Sequence, residues 1–208
     1  MIHVRHLHSL RVAFAALLLG SSLAGAATSY TVVDLSGAAL GSANAIAGGL
    51  ASGYAGPIGQ VTHATVWTAS GSIDVHPAGL GGAGSRSAIQ GAAAGVQVGT
   101  VSGVATSNRQ LPVAWNGTVA SARLLPIPFT HFGGRAIATD GVQIVGTATG
   151  LNEEDGVVGL THALLWDAAS GTAVDLGDGG NGAVAFGVGG GKQVGYVIKG
   201  NANAAMIT

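Results

Sequence analysis

The sequence predicts an all-β protein: a small β-propeller-like array of about four four-stranded blades, the last closed by both chain termini. Three observations carry that prediction. Trp67, Trp115 and Trp166 recur 48 and 51 residues apart, each ending a short apolar segment ("HATVW", "LPVAW", "HALLW"). Glycines 53, 99, 146 and 195, which close short Gly-bounded segments, recur 46, 47 and 49 residues apart. No stretch after residue 27 carries a capped apolar period of 3.6, as a helix would. A period between 40 and 50 residues holding four short strands is the signature of a propeller blade.

The elements follow in order. After each Trp comes a turn with glycine, at Ser70-Gly71, Asn116-Gly117 and Ser170-Gly171. Such dipeptides join short antiparallel strands. A second apolar pair follows at Asp74-Val75, Leu124-Leu125 and Asp175-Leu176, with an early copy at Asp34-Leu35. A Gly-rich loop then leads to Ala45-Ile46, Ala88-Ile89, Ala136-Ile137 or Ala185-Phe186, and to the Gly-bounded strand. Residues 30–53 supply three such segments without a Trp segment of their own. Residues 204–207 fall where a fourth Trp segment belongs. Three strands from the start and one from the end thus predict one blade shared by the termini. Sheets of this kind bury their faces against neighbours and leave only short edges. An open array is the alternative topology.

Composition narrows the function classes. Arg5 and Arg11, the apolar run 12–19 and the small residues Ala24-Gly25-Ala26 read as a signal peptide over residues 1–26. The domain is then 27–208, and the expected location is periplasmic or extracellular. The apolar run is short for a membrane anchor, and no later run is long enough to span. The cysteine count of 0 leaves packing and backbone pairing to hold the fold. Eight basic residues stand against nine acidic ones, and 8% of the chain is charged. There is no basic patch for nucleic acid. The 37 glycines punctuate β-prone segments in a chain too apolar to be disordered.

Taken together, Ala-Ile, Gly-x-Gln-Val-Gly, His-Ala-x-x-Trp and Asp-Leu-Gly resemble the bacterial probable extracellular repeat of the HAF family, named for a His-Ala-Phe tripeptide. His63-Ala64 and His162-Ala163 carry its first two letters; Thr65 and Leu164 stand at the Phe position, and Leu111-Pro112 replaces His-Ala in the middle copy. The resemblance spans nearly all of 27–208. It implies an exported bacterial protein with a propeller-like fold, and no catalytic residues.

Each chemical candidate also has a structural reading. His63 and His162 repeat, but Leu111 breaks the series, and a metal site needs three or four convergent donors. A structural His bonded to a neighbour beside Trp fits better. Asp34, Asp74 and Asp175 sit where an Asp accepts turn amides. Asp175 and Asp178, in "DLGDGGNG", are the residues that calcium would use. The stretch lacks the twelve-residue spacing and terminal Glu of an EF-hand loop. "NEEDG" at 152–156 reads as a solvated loop tip. No G-x-S-x-G elbow occurs, and the glycines at 79–84 open no phosphate-binding helix. The leading expectation is therefore a non-enzymatic binding or surface-interaction module, its ligand class left open between carbohydrate and protein. The rival is a small secreted hydrolase or lyase using His76, Arg86, His131 and Arg135 from corresponding loops. It requires those four to converge.

Overall fold

The computed structural model describes residues 34–35, 40–151, 158–177, 181–199 and 202–208. The leader 1–26, the acidic stretch 152–156 and Asp178 lie outside the described residues. The described strands form four antiparallel sheets, in which every hydrogen-bonded neighbour is also the next strand in sequence. The first holds β1 (Leu40–Ala47), β2 (Leu50–Gly56), β3 (His63–Thr68) and β4 (Gly71–Asp74). The second holds β5 (Arg86–Ala93), β6 (Val96–Ser102), β7 (Leu111–Trp115) and β8 (Arg123–Leu124). The third holds β9 (His131–Thr139), β10 (Gln143–Leu151), β11 (Val158–Asp167) and β12 (Ala173–Gly177). The fourth holds three described strands, β13 (Ala183–Gly189), β14 (Lys192–Lys199) and β15 (Ala202–Ile207). Helix is confined, among the described residues, to one α turn at Ala78–Gly81 and 3₁₀ turns at Val104–Thr106 and Val119–Ser121. No described helix is long and apolar enough to cross a membrane.

The strands are the expected ones, but the sheets are cut at a different point of the repeat. Ala45-Ile46 lies in β1 and pairs with β2, and β2 pairs with β3, which carries Trp67. The Trp strand is therefore third in its sheet. The end of the chain supplies three strands to the fourth sheet, not one. Turn length explains the cut. Two-residue Gly turns such as Gly48-Gly49 hold neighbouring strands in one ladder. The longer Gly-rich loops after the Asp strands step from one sheet to the next.

The repeating glycines have two different jobs. Gly49, Gly95, Gly141 and Gly191 turn the first hairpin of each sheet with φ of 79, 84, 93 and 75°. Gly53, Gly99, Gly146 and Gly195 instead face a bulge. At each, the first strand carries one extra residue, namely Asn44, Gln90, Ile137 and Phe186. A Cβ on these glycines would stand 1.9–2.1 Å from a carbonyl oxygen of Ser42, Ala88, Arg135 or Val184. No side chain fits there, so the bulge and the glycine recur together.

The core lies between the sheets. Ala64, Val66, Ile89, Val101, Val113 and Trp115 pack the first sheet on the second. Val98, Ala114, Ala136, Ile144, Leu164 and Trp166 pack the second on the third. Val145, Ala163, Ala183 and Ala185 pack the third on the fourth. The first strands also touch in series, β1 on β5, β5 on β9 and β9 on β13. Two of the three buried indoles tie neighbouring sheets. Trp115 Nε1 donates to Val75 O at 3.0 Å and Trp166 Nε1 to Pro126 O at 2.6 Å, both forty residues back. Trp67 is buried too, yet its indole N–H has no partner among the described residues. The far face of the fourth sheet is open: Val194 is 45% exposed, whereas its counterparts Val98 and Val145 are fully buried. Among the described residues no contact as extensive as the other three joins β13 back to β1.

Candidate binding site

The segment "HFGGRAI" opens β9. Two glycines inside a strand mark a close backbone approach. A Cβ on Gly133 would stand 2.9 Å from Gln110 O, and one on Gly134 2.8 Å from Thr147 O. The bare backbone lets the connection between β6 and β7 settle on β9, where Gly134 N–H donates to Gln110 O at 2.8 Å. That connection is tightly held. Thr106 Oγ1 accepts from Gly103 N–H at 3.0 Å and donates to Arg109 O at 2.7 Å. Ser107 and Asn108 follow with φ of 53 and 59°. Two successive non-glycine residues in this region store backbone strain, which collects at ligand clamps.

The loop delivers Arg109 onto Phe132. Its Nη1 donates to His131 O at 2.9 Å, and its guanidinium carbon lies 5.8 Å from the Phe132 ring centre. Phe132 is 51% exposed. Together they border a cavity of about 840 Å³. Thr147 and Thr149 of β10 and Thr161 of β11 line it, with Tyr196 of the fourth sheet. Thr147 Oγ1 donates to His162 O at 2.9 Å, and the Thr149 and Thr161 hydroxyls stand 3.4 Å apart. Arg135 lines the same cavity, exposed, and its side chain makes no hydrogen bond or ion pair among the described residues. No carboxylate is among the described lining residues.

A second polar cluster sits where the first sheet meets the second. His63 Nδ1 lies 2.8 Å from Asp74 Oδ2, and the His63 and His76 rings stack with centres 3.9 Å apart. Asp74 Oδ1 accepts the His76 backbone N–H at 2.8 Å. The His76 ring meets Ser87 Oγ at 2.7 Å through Nδ1 and Ser85 Oγ at 2.8 Å through Nε2. Ser87 Oγ also accepts from Ala64 N–H at 2.8 Å. Burial pushes the His76 pKa below its ordinary value; the charge of His63 adds to this and Asp74 opposes it. Both serines are buried, so neither hydroxyl faces a substrate. The cluster is an inter-sheet joint and is not laid out as a nucleophile with its base.

The third sheet repeats the pair without the serines. His162 Nδ1 lies 2.9 Å from Asp175 Oδ2, and the His162 ring packs on Phe129 with centres 4.4 Å apart. In the second sheet Leu111 and Leu124 hold the matching positions, since Leu124 pairs with Val113 as Asp74 pairs with Thr65.

The four residues that the hydrolase or lyase reading needed sit in different places. Arg135 lines the cavity. His131 opens β9, a strand rather than a loop; its carbonyl holds Arg109 and its Nδ1 faces Phe129 O at 3.1 Å. His76 belongs to the serine joint. Arg86 opens β5, exposed, and lines neither feature. Asp175, one of the two residues named for calcium, has one oxygen on His162 and the other accepting Gly177 N–H at 2.8 Å. Among the described residues no group of three or more His, Asp or Glu side chains is placed to hold a metal. Sequence reasoning passed over Arg109 and Phe132, and set Ser85 and Ser87 aside because "GAGSRS" lacks a nucleophile elbow. The paired glycines beside Phe132 were the available signal. Comparison with protein-family models, curated proteins and solved structures finds no match for the chain.

Proposed function

We propose that this chain is a non-enzymatic binding module of an exported protein, and that it takes a carbohydrate in the cavity beside Phe132. One observation carries the reading: an exposed aromatic ring stands at a walled cavity rimmed by strained backbone and lined by threonine hydroxyls. Sugars present an apolar C–H face and a hydroxyl edge, and this lining offers a partner for each. A thermal-shift panel of neutral and charged oligosaccharides tests it. At least one class should raise the melting temperature of the full chain, and Phe132→Ala should remove that response. A panel with no response sinks the reading.

The propeller-like closure belongs to the same proposal. Residues 31–35, "TVVDL", repeat the fourth strands "AVDL" and "SIDV". The fourth sheet has three described strands where the others have four. Trp67 is buried although none of the three inter-sheet clusters contains it. The open face at Val194 makes this seam the loosest joint of the ring. By register, Asp34 would face Met206 as Asp175 faces Leu164. With no native cysteine, Asp34→Cys with Met206→Cys should close an intramolecular disulfide on mild oxidation. Free thiols or dimers only would favour the open array. The resemblance to HAF repeats rests on the recurring motifs alone. Export with removal of residues 1–26 is checked by a mass measurement on protein recovered outside the cytoplasm, which should begin at Ala27.

A further inference from the structure

We infer that the cavity is built for an acidic sugar, a uronate-type residue whose carboxylate binds Arg109 and Arg135 while its ring lies against Phe132. This rests on the carbohydrate reading above. Six basic residues lie beyond residue 26, and two of them line this one cavity. Neither meets a carboxylate among the described residues. The ion pairs among the described residues are both His with Asp. Two guanidiniums that line one cavity give it a positive field that draws an anion. Arg109 is fixed through one nitrogen by His131 O, so the rest of its fork remains to donate. Arg135 is wholly uncommitted among the described residues. Planar forks of this kind match a carboxylate with paired, charge-assisted hydrogen bonds.

The rest of the lining selects a sugar over a bare anion. Phe132 offers a flat apolar surface already polarised by Arg109. The Thr149 and Thr161 hydroxyls both donate and accept, as sugar hydroxyls do. A phosphate ion would use the arginines and leave the ring and hydroxyls idle. The cavity, at about 840 Å³, has room for more than one sugar unit.

The test is calorimetry on the full chain with tetragalacturonate, its methyl ester and inorganic phosphate. The acid should bind at least about tenfold tighter than the ester, the size of one charge-assisted contact. That preference should shrink between 50 and 500 mM salt, to roughly the extent screening predicts. Arg135→Gln should erase the preference for the acid over the ester. Phe132→Ala should weaken both ligands. Equal binding of acid and ester overturns the inference and leaves the carbohydrate reading standing. Displacement of the acid by equimolar phosphate overturns it too. If neither sugar binds, or Phe132→Ala changes nothing, the carbohydrate reading itself falls.

Discussion

The first and third sheets carry a His–Asp pair at the same register, and the two pairs lean on different neighbours. His63 stacks on His76, which two buried serines hold from the second sheet's side. His162 leans on Phe129. The second sheet dispenses with the polar pair and uses Leu111 and Leu124. A position that accepts a polar pair or an apolar one is being used for packing across the sheet. What repeats without exception is the backbone beneath it: the hairpin glycine, the bulge and the glycine that faces the bulge.

The largest effects should follow from breaking what all sheets share. Gly99→Ala and Gly146→Ala each put a Cβ about 2 Å from a neighbouring carbonyl oxygen. Backbone cannot yield as a side-chain tip does, so each should destabilise by roughly 3 kcal/mol or more. Urea unfolding measures it. The two costs should be alike, although one sheet carries leucines at the variable corner and the other His with Asp. A mild effect in either sheet would mean that the bulge is adjustable and not a shared support.

The next contrast is in acid. His76 is held below its ordinary pKa in the folded protein, chiefly by burial. The unfolded chain therefore binds the proton more readily. The resulting stability is complete above the ordinary imidazole value of about 6.5 and is lost as pH falls through the lowered folded value. The groups facing the ring are His63, which adds repulsion once charged, and Asp74, which opposes it. Unfolding curves from pH 7.5 to 4.5 should show this loss, and His76→Phe, which sets a phenyl ring against His63 as Phe129 sits against His162, should flatten it. An unchanged slope in the variant would place the acid sensitivity elsewhere.

How much of this was legible in the sequence depended on whether the signal was local. Trp spacing, Gly-bounded segments and turn dipeptides are short-range features, and they located nearly every strand. The cut between sheets was misread because spacing is blind to phase: a repeat of four strands reads the same from any starting strand. Turn length held that information, in Gly48-Gly49 against the long loop 75–85. The cavity was harder. Arg109 and Phe132 are 23 residues apart in sequence and meet only because Gly133 and Gly134 let another sheet's loop descend onto β9. Ser85 and Ser87 looked like ordinary loop residues, since nothing near them in sequence reveals that they close on His76.

The smallest effect should come from making one corner into the other. His162→Leu with Asp175→Leu gives the third sheet the second sheet's side chains. The pair is partly exposed, and such pairs contribute about 0–1 kcal/mol. Asp175 also accepts Gly177 N–H, so that bond is lost, but it lies at an exposed strand end where water replaces it. Leu packs on Phe129 as well as imidazole does. The double variant should therefore unfold within about 1 kcal/mol of the parent at pH 7. The same exchange at His63 and Asp74 should cost more, because it removes the stack on His76 and the acceptor of its backbone N–H. If the third-sheet exchange proves the costlier of the two, the serine joint is not what distinguishes the corners, and the His162 pair has a use that packing does not explain.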